Sequence, residues 1–206
     1  MIHHANIGVR IVKADLIIYN CKEMITMEEQ NPGSGMRGLG TVTDGAIAVS
    51  EGKIVALGNS ALICQDYSAD EYIDASGLTA LPGLIDCHTH PVFVHTREAE
   101  FSQRLAGLSY VEISKTGGIR STIASTRAAS DDELFELAET RIRRMIALGT
   151  TTLEAKSGYG LNTKSELQQL RVIKRLAEEL PITIIPTFMG AHEYPAEYKN
   201  DHATYL

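Results

Sequence analysis

The sequence predicts an α/β architecture, the incomplete opening of a TIM-like (β/α)8 barrel preceded by a small antiparallel β-domain, and three observations carry that expectation. Up to about residue 80, short β-prone runs alternate with turn residues. From Leu81 the pattern changes to strand, helix, strand, helix, strand, the order of a parallel sheet joined by right-handed crossovers. The first of those strands ends in His88-Thr89-His90, at the carboxyl end where barrels and open parallel sheets place their ligands.

In chain order, Ala14–Tyr19, Gly45–Val49 and Lys53–Leu57 read as strands of the small domain, residues 1–80, expected to be antiparallel and sandwich-like. Ser50-Glu51-Gly52 separates the last two runs, and Gly52 can supply the positive φ of a hairpin turn. Asn31–Gly40 holds four glycines and a proline and reads as a mobile loop. Residues 81–206 then carry strands at Leu84–Asp86, Thr150–Ala155 and Ile182–Thr187. Ser130-Asp131-Asp132-Glu133 has the form of a capping box, and Leu134, Leu137, Ala138, Ile142, Met145 and Leu148 follow at helical spacing until Gly149. Thr163-Lys164-Ser165-Glu166 repeats the box before Leu167, Leu170, Ile173, Leu176 and Leu180, and Pro181 cannot continue that helix. Three strands are three of the eight a barrel needs, and 206 residues fall short of the roughly 250 it takes, so the sequence reads as the first part of something longer.

Composition narrows the function classes. A 44% hydrophobic chain can build a core, and the formal charge, 19 − 26 = −7, with no long basic run argues against a sequence-independent grip on nucleic acid. An anionic small molecule at a local site is compatible with it. Cys21, Cys64 and Cys87 show no C-x-x-C spacing and leave an odd thiol, which argues against a disulfide framework and for a reducing compartment, the cytoplasm. Residues 1–10 lack the basic start and apolar core of a secretory signal, and no apolar run approaches the ~20 residues that span a bilayer, so no membrane association is expected.

Residues i and i+2 of a strand share one face, so His88 and His90 can aim two imidazoles at one point. Two neutral imidazoles make half of a metal site. Zinc and related ions in hydrolases take histidine and carboxylate ligands with one position open, where a bound water becomes acidic enough to act as a nucleophile. An isolated His-x-His is common, and strand-end loops are polar in any case. Weight comes from repetition: His95 and Arg97 also follow the first strand, Glu154, Lys156, Ser157 and Tyr159 end the second, and His192 and Glu193 follow the third. His3, His4 and His202 lie near the termini and are expected to be idle. Arg97 offers a guanidinium that pairs bidentately with carboxylates, against the alternative of a surface charge beside Glu98 and Glu100. Tyr159, between Gly158 and Gly160, sits on a turn from which a phenol can reach a ligand, against the alternative of an ordinary turn tyrosine.

Leu81-Pro-Gly-Leu-Ile-Asp-Cys-His-Thr-His90, preceded by Asp44-Gly-Ala-Ile-Ala-Val and Gly52-Lys-Ile-Val-Ala-Leu-Gly58, resembles the metal-dependent amidohydrolase superfamily. Arg97-Glu-Ala-Glu-Phe, Glu154-Ala-Lys-Ser-Gly-Tyr-Gly-Leu161, Glu166-Leu, Leu170-Arg-Val-Ile and Pro186-Thr-Phe-Met-Gly-Ala-His192 narrow the resemblance to the imidazolonepropionase family of histidine degradation. It runs from about Ala14 to the last residue and covers about the first half of a family member. The resemblance implies a TIM-like barrel on a small β-domain, a bound zinc or iron ion, and hydrolytic opening of 4-imidazolone-5-propanoate to N-formimidoyl-L-glutamate. By the same resemblance His88 and His90 are metal ligands, Arg97 grips the carboxylate of a small-molecule substrate, and Tyr159 and His192 contact that substrate. A homo-oligomeric full-length form is compatible with it, and nothing is carried onto His95 or Glu154.

The family shows three consecutive glycines where this chain has Thr116-Gly117-Gly118-Ile119, one residue short. Its third metal histidine, metal aspartate and proton-transfer residues lie on later strands, so no catalytic residue is assigned and the chain alone is expected to be inactive. Two other readings stay open. One is another amidohydrolase, such as a heterocycle deaminase, from which Arg97 and the Lys-Ser-Gly-Tyr-Gly loop would separate it. The other is a non-catalytic chain that binds a partner through unpaired strand edges.

Overall fold

Fourteen residues, Val12–Ile25, form the long first strand β1, which buries Ala14, Ile17, Cys21 and Met24. The computed structural model describes residues 11–28, 38–109, 112–113 and 118–206. His3, His4, Thr116, Gly117 and most of the glycine-rich loop read over Asn31–Gly40 lie outside the described residues. The chain divides into two compact units, Met1–Pro82 and Gly83–Leu206.

In the first unit β2 (Thr41–Ser50) runs antiparallel to β1, and β3 (Lys53–Asn59) runs antiparallel to β2. The connection between β2 and β3 is Glu51-Gly52, with φ of 51° and 71°. Positive φ at both central residues matches the twist of a two-residue hairpin. Asn59 then caps helix α1 (Ser60–Asp66) by accepting the Ala61 N–H at 3.0 Å. Two further strands, β4 (Tyr67–Asp74) and β5 (Thr79–Ala80), both pair with β1 in parallel. The small sheet is therefore mixed, not antiparallel as expected. A seven-residue helix is too short to display a helical period, and β4 carries three acidic residues with no buried position, so neither element announces itself in the sequence. The five strands make a single sheet, and Ile63 of α1 joins Ala14, Ile17, Ala46 and Ala48 in its core, an arrangement of helix on sheet where a sandwich-like domain was expected.

The second unit is built on three parallel strands, β6 (Leu84–Thr89), β7 (Thr150–Lys156) and β8 (Thr183–Thr187), in the order β6-β7-β8. Between β6 and β7 lie α2 (Glu98–Leu105), α3 (Ile119–Ala128) and α4 (Asp131–Ala147), and between β7 and β8 lies α5 (Thr163–Glu179). A 3-10 turn at Ala196–Tyr198 and a short α6 (His202–Tyr205) follow. Ser130 caps α4 as the sequence predicts, taking the Glu133 N–H at 3.1 Å, and Asp131, Asp132 and Glu133 place negative charge at the positive end of the helix dipole. The cap of α5 is Asn162, one residue before the expected Thr163.

Alternation along β7 sets the layering. Leu153 and Ala155 are fully buried and pack with Ile184 of β8 against Leu134, Ala138 and Ile142 of α4 and Val172, Ile173 and Leu176 of α5. Glu154 and Lys156, between and beyond them, are half-buried on the other face. The described residues thus hold three parallel strands with helices against one side, and no closed barrel. Among them no helix is long and apolar enough to cross a membrane.

Ile142 is fully buried in this core. Ile142→Ala is expected to cost about 2–5 kcal/mol in denaturant unfolding, whereas Ser130→Ala, which removes only the cap, costs about 1 kcal/mol. Equal costs for the two would show that α4 does not pack as described.

Candidate active site

His88 and His90 come from the irregular end of β6. The ladder to β7 pairs Asp86 with Leu153 and Thr89 with Ala155, an advance of 89 − 86 = 3 residues on β6 against 155 − 153 = 2 on β7. The extra residue is a bulge, and bulges re-aim side chains. His88 is exposed, and His90, just past the strand end, is half-buried. Their ring centroids are 5.9 Å apart with planes at 59°. Two imidazoles that each place a nitrogen about 2.1 Å from one ion have centroids no more than roughly 6.5 Å apart, so the pair lies within the span of a shared ion.

The loop after β7 supplies the next ring. Ser157 N donates to Thr187 O at 3.0 Å, and Ser157 Oγ accepts from Met189 N at 3.0 Å, which ties the loop to the end of β8. Gly158 has φ of 117°, and a Cβ there would lie 3.0 Å from both Cβ and Nδ1 of His192. The absence of that atom lets His192 Nδ1 approach Gly158 O to 3.0 Å. A carbonyl only accepts, so Nδ1 carries the proton, and in the neutral ring Nε2 keeps its lone pair. His192 stacks on His90 with centroids 4.8 Å apart and planes at 15°. Tyr159 closes the group, 5.2 Å from His90, 5.6 Å from His192 and 5.7 Å from Phe93.

This surrounding decides the charge of His90. Burial, then the neighbouring His192, pull its pKa from 6.5 to about 4, with His88 and Lys156 adding to the fall and hydrogen bonding of the ring to the Ser157 backbone opposing it. At neutral pH the ring is uncharged, the form in which imidazole binds metals. Its Nδ1 is buried and has no hydrogen-bond partner among the described residues. Buried polar atoms are normally paired, so an orphaned nitrogen on a neutral ring, beside a second imidazole, suits a metal ion. The donor set is incomplete, because the described residues contain no group of three or more His, Cys, Asp or Glu that could hold one.

Beside the rings, Glu154 Oε1 accepts from Lys156 Nζ at 2.5 Å and from Thr187 Oγ1 at 2.7 Å. The hydrogen bond from Lys156, then that from Thr187, hold the Glu154 carboxyl below the usual range, and the charges of Lys156 and His88 add to the effect. Thr89 Oγ1 donates to Glu154 O at 2.5 Å, joining the end of β6 to β7.

The structure thus brings together four of the residues singled out in the sequence: His88, His90, Tyr159 and His192. Arg97 stands at the start of α2 with its guanidinium 3.8 Å from the Glu100 carboxylate. His95 is engaged through its carbonyl, which accepts from Thr122 Oγ1 at 3.3 Å, and Glu193 Oε1 accepts the N–H of its neighbour Tyr194 at 2.9 Å. His202, expected to be idle, stacks on Tyr194 at 3.7 Å.

Sequence reasoning missed Arg141. Its Nη1 donates to Pro91 O at 2.9 Å and Phe93 O at 2.6 Å, and its guanidinium lies 3.8 Å over the Phe93 ring, so it pins the segment that follows His90. The signal was available: Arg141 falls at helical spacing between Ala138 and Ile142, a charge within an apolar stripe. Burial lowers its pKa, and the nearby Glu98 charge opposes that shift.

No family model matches the chain. In sequence it is 43% identical over 198 residues to the imidazolonepropionase of Fusobacterium nucleatum, covering 95% of this chain and 48% of that protein. The imidazolonepropionase of Thermoanaerobacter pseudethanolicus is 43% identical over 198 residues, with 95% and 47% covered, and that of Bacillus velezensis 42% over 195 residues, with 93% and 46% covered. The chain spans about half the length of the curated relatives it matches. Among solved structures, E. coli guanine deaminase is similar with a TM-score of 0.58 at 18% identity, over 82% of this chain and 36% of that one. An adenosine deaminase from Xanthomonas campestris with bound zinc is similar with a TM-score of 0.52 at 16% identity, over 86% of this chain and 43% of that one. At those identities the likeness is one of fold.

An NMR titration of the metal-free chain is expected to place the His90 midpoint near 4. A midpoint at 6.5 would show a solvated ring. As pH falls the unfolded chain takes up this proton first, so the stabilising contribution of neutral His90 is whole above 6.5 and is lost as pH falls through about 4. Each tenfold difference in proton affinity is worth roughly 1.4 kcal/mol, and solvent screening of a half-buried ring trims the total loss to about 2 kcal/mol. Gly158→Ala is expected to displace His192 and cost about 1–3 kcal/mol, read from unfolding and from loss of ring contacts between His90 and His192.

Proposed function

The chain is related in sequence to the imidazolonepropionases, at 43% identity over 95% of its length, and on that premise we propose that it forms one half of a metal-dependent hydrolase that opens 4-imidazolone-5-propanoate to N-formimidoyl-L-glutamate. The observation that carries the proposal is the meeting of His88, His90, Tyr159 and His192 in one ring cluster at the carboxyl ends of three adjacent parallel strands. A cytoplasmic setting goes with it, supported by three unpaired cysteines.

His88 and His90 would hold a zinc or iron ion, His90 being neutral and its Nδ1 unpartnered. When bound, such an ion supplies a Lewis acid and acidifies a water molecule. Arg97 binds the propionate carboxylate. Its present ion pair with Glu100 is 3.8 Å long and partly exposed, a weak contact that a bidentate carboxylate displaces. His192 holds its Nδ1 proton on Gly158 O, which leaves Nε2 to accept an N–H of the imidazolone ring. The Tyr159 phenol donates to or accepts from the same heterocycle and helps to exclude water from it. The remaining metal ligands and the proton-transfer groups would come from the half of the relatives' length that this chain does not span.

A deaminase acting on a neutral heterocycle is the second reading, kept because the similar solved structures include deaminases. A propionate-bearing substrate accounts for an arginine at the site, whereas a neutral base does not require one.

Three outcomes are expected. The 206-residue chain takes up zinc weakly, and His88→Ala and His90→Ala each abolish that uptake; uptake unchanged in both variants removes the pair as ligands. Given 4-imidazolone-5-propanoate with excess zinc or iron, the chain alone shows no loss of imidazolone beside the Fusobacterium nucleatum relative, and comparable turnover would contradict the incomplete donor set. In a full-length protein carrying this sequence, Arg97→Ala loses selectivity for the propionate side chain, and unchanged selectivity favours the deaminase reading.

A further inference from the structure

Glu166 occupies the place where the sequence predicts the partner of a capping box. In such a box the glutamate reaches back to the N–H of the N-cap residue. Here the cap is Asn162, whose side chain takes the Ser165 N–H at 2.9 Å. Glu166 reaches further back, and its Oε1 accepts the N–H groups of Gly160 at 2.8 Å and Leu161 at 2.7 Å. These are the two peptide groups that directly follow Tyr159. The residue is 2% exposed, and Oε2 is buried without a hydrogen-bond partner among the described residues. Burying a carboxylate is costly unless it is compensated, and the compensation on view comes from the loop and the positive end of the α5 dipole.

The loop lies hard against that helix end. A Cβ at Gly160 would come 2.6 Å from Glu166 N and 2.7 Å from Ser165 C, so glycine is what permits the approach. Arg127 engages the carbonyls of the same two residues, donating from Nε to Gly160 O at 2.5 Å and from Nη2 to Leu161 O at 3.1 Å, while Gln169 Oε1 accepts the Tyr159 N–H at 3.4 Å. The turn is thus held by its N–H groups on a buried carboxylate and by its carbonyls on a guanidinium.

We propose that Glu166 is a positioning residue of this site: through the N–H groups of Gly160 and Leu161 it fixes the turn that presents the Tyr159 ring to His90 and His192. The description of those rings as substrate-facing rests on the function proposed above. The geometric claim does not, and its test uses neither metal nor substrate.

Ring centroid separations of 5.2 Å for Tyr159–His90 and 5.6 Å for Tyr159–His192 put ring protons within reach of nuclear Overhauser contacts. In the 206-residue chain these contacts are expected in the unmodified protein, are kept in Glu166→Gln and are lost in Glu166→Ala. Glutamine retains an acceptor at the Oε1 position and gives up no bond at Oε2, whereas alanine removes the acceptor. Contacts between β7 and β8, such as Leu153–Ile184, are expected to persist in both variants and report that the sheet is intact. Ring contacts that survive in Glu166→Ala, or that vanish in a folded Glu166→Gln, would overturn the proposal. So would their absence from the unmodified chain. If Glu166→Ala unfolds the unit, Glu166→Asp decides: its carboxylate is one methylene short of the two N–H groups, so loss of the ring contacts in a folded protein supports the assignment and their retention overturns it.

Discussion

The burial of Leu153 and Ala155 against α4 and α5 is the constraint on which the rest of the second unit depends. A strand has two faces and alternates between them, so placing those two side chains among the helices turns Glu154 and Lys156 to the other side without any further instruction. Parallel pairing with β6 and β8 then brings three strand ends level, and the groups that follow those ends meet. The β6–β7 ladder shifts register twice, between Leu84 and Ile85 and between Asp86 and Thr89, and the second shift falls in the segment that carries His88. A slip by one residue in β7 would exchange its apolar and ionic faces and dissolve both the core and the site.

The charge of His90 is set by burial first and by its neighbours second. Four rings of similar shape crowd together, and two of them, His90 and His192, stack nearly parallel. Protonating His90 would bury a cation and set it against His192, which is why His90 stays neutral far below its ordinary range. The one amine nearby, Lys156, is answered by Glu154, which Thr187 also engages. The result is a neutral His90 ring bordered by a closed ion pair.

Much of this was legible in the sequence, and the parts that were not share a physical cause. The Glu51-Gly52 hairpin, the Ser130 cap and the three parallel strands follow from local chemistry that a short window of residues contains. The parallel pairing of β4 with β1 does not, because it is decided by a seven-residue crossover helix and by partners more than fifty positions apart. At the site, the spacing of His88 and His90 and the glycines around Tyr159 pointed to side chains that do converge. Arg97 is observed 3.8 Å from Glu100, one of the acidic residues that follow it in sequence. The contacts of Arg141 and Glu166 were not legible because each sits in a helix pattern with an ordinary explanation, an interrupted apolar stripe for one and a cap for the other, while their partners lie on loops outside the helix itself.

β6 and β8 end the parallel sheet, and the side chains near those margins include Ile85 at 71%, Ile185 at 51% and Phe188 at 66% exposure. An outer strand of a parallel sheet is paired on one side only, and here apolar side chains lie exposed beside both margins. The unit thus separates two kinds of surface: exposed apolar side chains along the sheet margins and polar groups gathered at the strand tips.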